Sequence, residues 1–150
     1  MSLLPRLLGP WMVLAVASCS GPSAYLKTDT EPWLRYERTP CFGPCPAFLL
    51  EVDSKGQARF NGRRNVTLEG VFKGQWNDAD LQRVAEAAHA VALKDKAGIY
   101  DNPMVTDLPT KRILLSDIVF VDRIDAPPVD RLYAVLDSLI SSTGWTPEGL

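Results

Sequence analysis

Apolar and polar residues alternate along several short segments in the first half of the chain. Alternation with a period of two is the pattern of β-strands that bury one face. The alternating segments lie at 33–38, 47–53, 57–61 and 66–72. Turn-forming proline, glycine, aspartate or asparagine residues separate each segment from the next. The pattern predicts four successive strands.

After Trp76 the apolar residues change to helical spacing. Asn77 is a favourable N-cap for a first helix. Its apolar stripe consists of Leu81, Val84, Ala85, Ala88 and Ala92. A second amphipathic helix is predicted to begin after Pro127-Pro128 and to end at Gly144. Its stripe consists of Leu132, Val135, Leu136, Leu139 and Ile140.

Between the two helices, 111–115 and 118–122 have the pattern of a hairpin that turns at Ser116-Asp117. Residues 94–110 show little periodicity and are predicted to form a loop, which is long for a compact domain. The element order is therefore ββββ-α-ββ-α. We expect an α+β fold with an antiparallel sheet of about five to six strands and both amphipathic helices on one face.

The amino-terminal residues have the features of a secretory signal peptide. Arg6 precedes an apolar stretch at 7–17 that is too short to span a bilayer as a single helix. Cleavage after Ala17 would suit an ordinary signal peptidase. The alternative is that Val16-Ala17-Ser18-Cys19, which resembles the bacterial lipobox, directs cleavage before Cys19 and acylation of that cysteine.

We favour the lipobox interpretation, with membrane lipid as a partner through acylated Cys19. By resemblance to lipoprotein sorting in Gram-negative bacteria, Ser20 implies the periplasmic face of the outer membrane. The predicted divisions are a signal peptide at 1–18, the lipidated cysteine with a flexible tether at 19–31, a single domain at 32–146 and a tail at 147–150.

Composition and the absence of certain motifs exclude several classes of function. The 150 residues carry a net charge of −2, without the basic excess expected of a nucleic-acid-binding protein. The single histidine, His89, excludes zinc sites with two or three histidines in one chain.

A small hydrolase would need Cys45 or Asp107 within hydrogen-bond reach of His89. No phosphate loop, serine elbow or paired-carboxylate motif is present, so we expect a non-enzymatic binding or structural module without a cofactor.

The segment Cys41-Phe42-Gly43-Pro44-Cys45-Pro46 has the most distinctive chemistry. Three intervening residues allow the two cysteines to approach disulfide range and brace a turn between strands. The chain has three cysteines, so one would be left as a free thiol in an oxidising compartment if the other two were paired. Acylation of Cys19 would account for that third cysteine. The alternative is a thiol-based metal or redox protein using Cys41 and Cys45. The spacing resembles that of copper-delivery proteins of the Sco type, and two thiolates suit copper.

Binding candidates lie in the predicted long loop. Tyr100, Asp107 and Thr110 could contact a ligand, and the partner would be an envelope protein or a glycan. The alternative for Asp107 and Thr110 is a structural role, in which their side chains bond nearby backbone at the entry to the hairpin.

Several separated motifs occur in a recognisable order. An opening C-x-G-x-C-P-x-aromatic motif is matched by Cys41, Gly43, Cys45, Pro46 and Phe48. Glycine and aromatic spacing is matched by Gly56, Phe60, Gly62 and Gly70, and a late T-D-x-P-T motif by Asp107, Pro109 and Thr110. In these features the chain resembles a family of bacterial envelope lipoprotein domains of unknown function. The resemblance implies the fold and the envelope context, and no activity or ligand.

Overall fold

The computed structural model describes residues 21–26 and 31–149. The predicted signal peptide, Cys19 and residues 27–30 of the predicted tether lie outside the described residues. In the described part of the chain, eight strands form one open sheet and two α-helices accompany it, which confirms the expected α+β class. No helix among these residues is long and apolar enough to cross a membrane.

The strands are β1 Leu34–Arg38, β2 Ala47–Val52, β3 Gln57–Arg64, β4 Gly70–Gln75, β5 Gly98–Tyr100, β6 Lys111–Leu115, β7 Ile118–Asp122 and β8 Thr146–Pro147. The α-helices are α1 Asp78–Ala90 and α2 Asp130–Ser142, and two short 3-10 helices span Pro22–Tyr25 and Leu93–Lys96. Spatially, the strands follow the order β5-β7-β6-β1-β2-β3-β4-β8.

The sheet differs from the prediction in strand number and in one orientation. β5 lies within the predicted loop 94–110 and pairs with β7 in parallel, whereas the other neighbouring pairs are antiparallel. β8 includes Pro147 of the predicted tail and pairs with β4. The two extra strands contain three and two residues, which is too short for a hydrophobic period to be recognised.

The fourth strand is displaced from its predicted position. β4 begins at Gly70, while Val66 and Leu68 of the predicted strand lie in the connection that follows β3. Their apolar side chains still pack against the core, which explains why they alternate. The backbone of this connection passes close to β3, where a Cβ on Gly62 would lie 1.7 Å from the Leu68 carbonyl oxygen.

Both predicted helices are present, with small changes at their boundaries. Asn77 and Asp80 form a capping box at the start of α1, each side chain accepting from the other's backbone N–H. α2 begins at Asp130, and its C-cap is Thr143 rather than Gly144. Core side chains from the helices and from one sheet face, Tyr36, Leu50, Phe60, Val84 and Leu136 among them, form one buried cluster.

The two ends of the central strands define the two ends of the domain. At the end where β1 finishes lie the cysteine turn at 39–46, the connection at 65–69 and the loop at 101–110; we call this the disulfide end. At the opposite end lie the turn at 53–56, the turn at Ser116-Asp117 and the 3-10 helix Pro22–Tyr25; we call this the Tyr25 end.

Candidate functional site at the disulfide end

The cysteine turn is closed covalently. Cys41 and Cys45 form a disulfide with a Cα–Cα distance of 5.7 Å, which confirms the predicted pairing. The backbone N–H of Gly43 donates to Cys41 Sγ at 3.2 Å inside the turn. Phe42 projects from it with 88% of its surface exposed. A short covalent ring therefore holds an apolar aromatic side chain in solvent.

A side-chain amide fastens the turn to the connection after β3. Asn65 Nδ2 donates to the carbonyl oxygen of Cys45 at 3.1 Å and contacts that of Gly43 at 3.5 Å. Asn65 has a φ of 54°, a left-handed conformation that asparagine adopts more readily than most residues. The turn and the connection consequently form one surface.

Beside the turn is an open groove of about 570 Å³, which we call the aromatic groove. Phe48 and Phe60 form its floor with ring centroids 5.2 Å apart, and Trp145 packs on Phe60 at 5.5 Å. Its walls include Leu68 from the connection and Ile140 from α2. The groove thus joins the sheet, the connection and the end of α2 at one apolar surface.

Two of the three side-chain hydroxyl groups that line the aromatic groove already have protein partners. Ser141 Oγ donates to the Asp137 carbonyl oxygen at 2.8 Å, a bond within α2. Thr143 Oγ1 donates to the Leu139 carbonyl oxygen at 2.6 Å and accepts from Trp76 Nε1 at 2.9 Å. The groove therefore offers mainly apolar contact.

A polar cluster borders the groove on the other side of Phe48. Arg38 Nη2 donates to Asp137 Oδ2 at 2.7 Å, its Nε donates to the Tyr36 hydroxyl, and its guanidinium lies 5.6 Å from the centre of the Phe48 ring. Tyr36 stacks on Tyr133 at 5.9 Å. Sequence reasoning missed Arg38, although its alternation with Leu34 and Tyr36 places it on the inward face of β1.

Burial sets the protonation of this cluster. Desolvation raises the pKa of Tyr36 well above its ordinary value, despite the lowering influence of Arg38. Desolvation also raises the pKa of Tyr133, and its hydroxyl donates to Asp122 Oδ2 at 2.9 Å. For Arg38, burial opposes the charged form, but Tyr36 and Asp137 outweigh it and raise the pKa. At neutral pH the two phenols therefore stay protonated and Arg38 stays charged.

The predicted binding candidates occupy this end with different degrees of exposure. Thr110 is buried: its N–H donates to Thr39 Oγ1 at 2.8 Å, and the Thr39 N–H donates to the Thr110 carbonyl oxygen at 3.0 Å. The hydroxyl of Tyr100 donates to the Lys96 carbonyl oxygen at 3.0 Å. Asp107 is exposed, with a φ of 68°. Thr110 links the loop to the cysteine turn, whereas Asp107 faces solvent.

Cross-strand pairing brings the predicted loop and the aromatic groove to the same end. One row of paired residues runs across the sheet through Tyr100, Asp122, Lys111, Arg38, Phe48, Gly62 and Gly70. Arg123 fixes the adjoining loop by donating to the Asp101 carboxylate at 3.1 Å and to the Val105 carbonyl oxygen at 2.9 Å. Met104 in that loop is 87% exposed.

His89 lies at the other end of the domain. Its ring is 6.4 Å from that of Tyr25, in the neighbourhood of Asp117. Cys45 and Asp107 are at the disulfide end, so the arrangement required for the hydrolase hypothesis is not formed. Among the described residues, no group of three or more histidine, cysteine, aspartate or glutamate side chains is placed to hold a metal ion.

The model of a domain of unknown function, DUF6438, matches residues 32–124. The chain belongs to the DUF6438 family. No curated protein and no solved structure matches the chain. The DUF6438 match contains the cysteine turn, Asn65 and the loop at 101–110, and it ends before α2 and Trp145. The aromatic groove therefore combines strands of the DUF6438 region with the helix that follows it.

Proposed function

We propose that this DUF6438 protein is a non-enzymatic binding module of the bacterial cell envelope. Acylated Cys19 anchors it at the periplasmic face of the outer membrane, and the disulfide end captures a segment of another envelope protein. The observation that carries the proposal is the disulfide-closed turn, which carries exposed Phe42 and whose end, at Pro46, lines the aromatic groove.

The disulfide supports the envelope location. Structural disulfides persist in oxidising compartments and are rare in the cytosol. With Cys41 and Cys45 joined to each other, Cys19 is the remaining cysteine of the chain. Acylation gives that cysteine a role.

The character of the groove favours a protein over a glycan. A glycan presents hydroxyl groups that need hydrogen-bond partners, and leaving them unpaired on binding costs about 1–3 kcal/mol each. Ser141 and Thr143 already have partners within the domain. Apolar side chains of a protein segment would instead contact Phe42, Leu68 and Ile140 without this loss.

Capture can be tested by in-cell crosslinking from position 66 on the groove wall, followed by mass spectrometry of the products. Phe42→Ser should reduce the yield of the crosslinked partner at least fivefold without changing the melting temperature, because Phe42 is exposed. Ile99→Ser is a matched control, since Ile99 is also exposed but lies on β5, outside the groove. Equal crosslinking in wild type and Phe42→Ser would contradict capture at this end.

Anchoring has a separate test. Intact-mass measurement of the protein from the membrane fraction should show an acylated amino-terminal Cys19, and Cys19→Ser should release the protein from the membrane. A mature protein without acyl mass would contradict the anchor. Two titratable thiols at Cys41 and Cys45, together with stoichiometric copper, would instead support the alternative metal or redox function.

A further inference from the structure

A segment of the predicted tether is packed on the domain. The 3-10 helix Pro22–Tyr25 buries Tyr25, whose surface is only 6% exposed. The Tyr25 carbonyl oxygen accepts from Trp33 Nε1 at 2.7 Å and from Ser116 Oγ at 2.9 Å. Its hydroxyl accepts from the Lys94 N–H at 3.4 Å. These contacts join the helix to the start of β1, to the hairpin turn and to the 3-10 helix Leu93–Lys96 that follows α1.

The packed helix leaves little chain between the anchor and the domain. Pro22 follows Cys19 by three residues, and three residues of fully extended chain span at most about 11 Å. If the whole predicted tether at 19–31 were flexible, its average reach would be roughly 20 Å and it would not orient the domain. Packing at Tyr25 therefore shortens the tether and fixes where it leaves the domain.

We infer that, given the acylation proposed above, this packed helix holds the Tyr25 end against the lipid headgroup layer and directs the disulfide end away from the membrane. The inference rests on the proposed anchoring at Cys19. A partner of the aromatic groove would then approach from the aqueous periplasm.

The position of the disulfide end relative to the attachment point follows from the course of β1. Trp33 precedes β1 at the Tyr25 end, and Arg38 ends it beside the cysteine turn. The five residues of β1 separate its two ends by about 13 Å, and the cysteine turn extends beyond Arg38. Phe42 is therefore at the opposite end of the domain from the attachment point.

Charge does not provide the attachment. The exposed groups around Tyr25 include Lys94, Asp95 and Asp117, whose charges sum to −1 and offer no attraction to anionic headgroups. The acyl chains provide the affinity, and the packed helix provides the orientation. Membrane attachment should accordingly be insensitive to salt, since exposed charge interactions are the ones that salt screens.

The test uses the acylated full chain in phosphatidylethanolamine–phosphatidylglycerol vesicles that carry a headgroup-attached quencher. A fluorescent amino acid is placed either at position 117 or at position 42, both exposed. Quenching at 117 should be at least threefold stronger than at 42. Equal quenching at the two positions would overturn the inference.

Two variants examine the packed helix itself. Insertion of about ten Gly-Ser residues between Ser20 and Gly21 lengthens the tether by an average of roughly 15–20 Å without touching the fold, and Tyr25→Ser removes the buried ring. Both should bring the two quenching values close together. Ser23→Ala, on the exposed side of the same helix, should retain the wild-type ratio. An unchanged ratio in the insertion variant would also overturn the inference.

The mass of the acyl chains is measured on the same sample, so failure of the proposed anchoring can be distinguished from failure of the proposed orientation. A protein without acyl mass contradicts the anchoring and overturns the inference with it. An acylated protein with equal quenching at 117 and 42 leaves the anchoring intact and overturns only the orientation.

Discussion

Arg38 and Asp137 form an ion pair that joins the end of β1 to α2, with Nη2 2.7 Å from Oδ2. The two residues are 99 positions apart in the sequence. The Arg38 side chain is 20% exposed and that of Asp137 is 44% exposed, so water reaches the carboxylate and screens the pair in part. The pair fixes α2 over the sheet at the border of the aromatic groove.

Removing one partner of this pair should cost more than removing both. Asp137→Leu leaves a half-buried guanidinium without its carboxylate and should lower the free energy of unfolding by about 1–3 kcal/mol. The double variant Arg38→Met/Asp137→Leu should recover part of that loss. Chemical denaturation of the two single variants and the double variant measures the coupling, and strictly additive effects would argue against it.

Reduction of the Cys41–Cys45 disulfide should lower stability without abolishing the fold. Closing so short a loop restricts the unfolded chain and is worth roughly 2 kcal/mol in the chain-entropy model. Thermal melts with and without reductant measure the difference. Cys41→Ser/Cys45→Ser should match the reduced protein and should not respond to reductant. Identical melting of oxidised and reduced protein would show that the bond does not brace the turn.

Gly62→Ala should destabilise the domain and disturb the aromatic groove. A Cβ at this position would lie 1.7 Å from the Leu68 carbonyl oxygen, so the backbone of the connection must move away. Overpacking of this kind costs about 1–3 kcal/mol. Gly144→Ala is the matched control, because a Cβ there meets nothing within 4 Å. Equal stability of the two variants in urea unfolding would contradict the close approach.

The Glu37 carboxylate should make the free energy of unfolding decrease at acidic pH. Burial opposes its charged form, but hydrogen bonds from Arg63 and Arg112 outweigh that effect and lower the pKa. A depressed folded pKa contributes stability that is present above the ordinary value of 4.5 and is lost as the pH falls through the folded pKa.

Glu37→Gln should therefore cost about 1 kcal/mol at neutral pH and show a smaller loss of stability than wild type as the pH is lowered from 6 to 3. Urea unfolding across that range gives the profile. Arg63→Met/Arg112→Met removes the donors instead and should reduce the same acid-dependent loss. Parallel profiles for wild type and Glu37→Gln would show that this carboxylate does not contribute to the pH dependence.

Local sequence patterns predict the elements that are held together by contacts between residues close to one another in the sequence. The β6–β7 hairpin turns at Ser116-Asp117 as expected, and Asn77 caps α1. The fourth strand was displaced because Val66 and Leu68 are apolar for a different reason, packing from a bent connection. Alternation reports which side chains are buried, and it does not distinguish a strand from an irregular segment that also covers the core.

The candidate site depends more than the strands and helices do on contacts between residues far apart in the sequence. The cysteine pair was predictable from spacing, because four positions separate its members. The groove beside it was not, because Phe60 and Trp145 meet only after α2 has crossed the sheet. Thr110 was a ligand candidate by sequence, and its bond to Thr39 depends on the pairing of β1 with β6.

By itself, the amino-acid sequence determined most of the periodic strands, the two amphipathic helices and the turn that brings Cys41 near Cys45, because each depends on residues within about one element of one another. Only the tertiary structure decided that β5 and β8 extend the sheet, that Tyr25 packs at one end and that the aromatic groove forms at the other. Those features join segments far apart in the chain, and their stability comes from packing and cross-strand hydrogen bonds that no local pattern encodes.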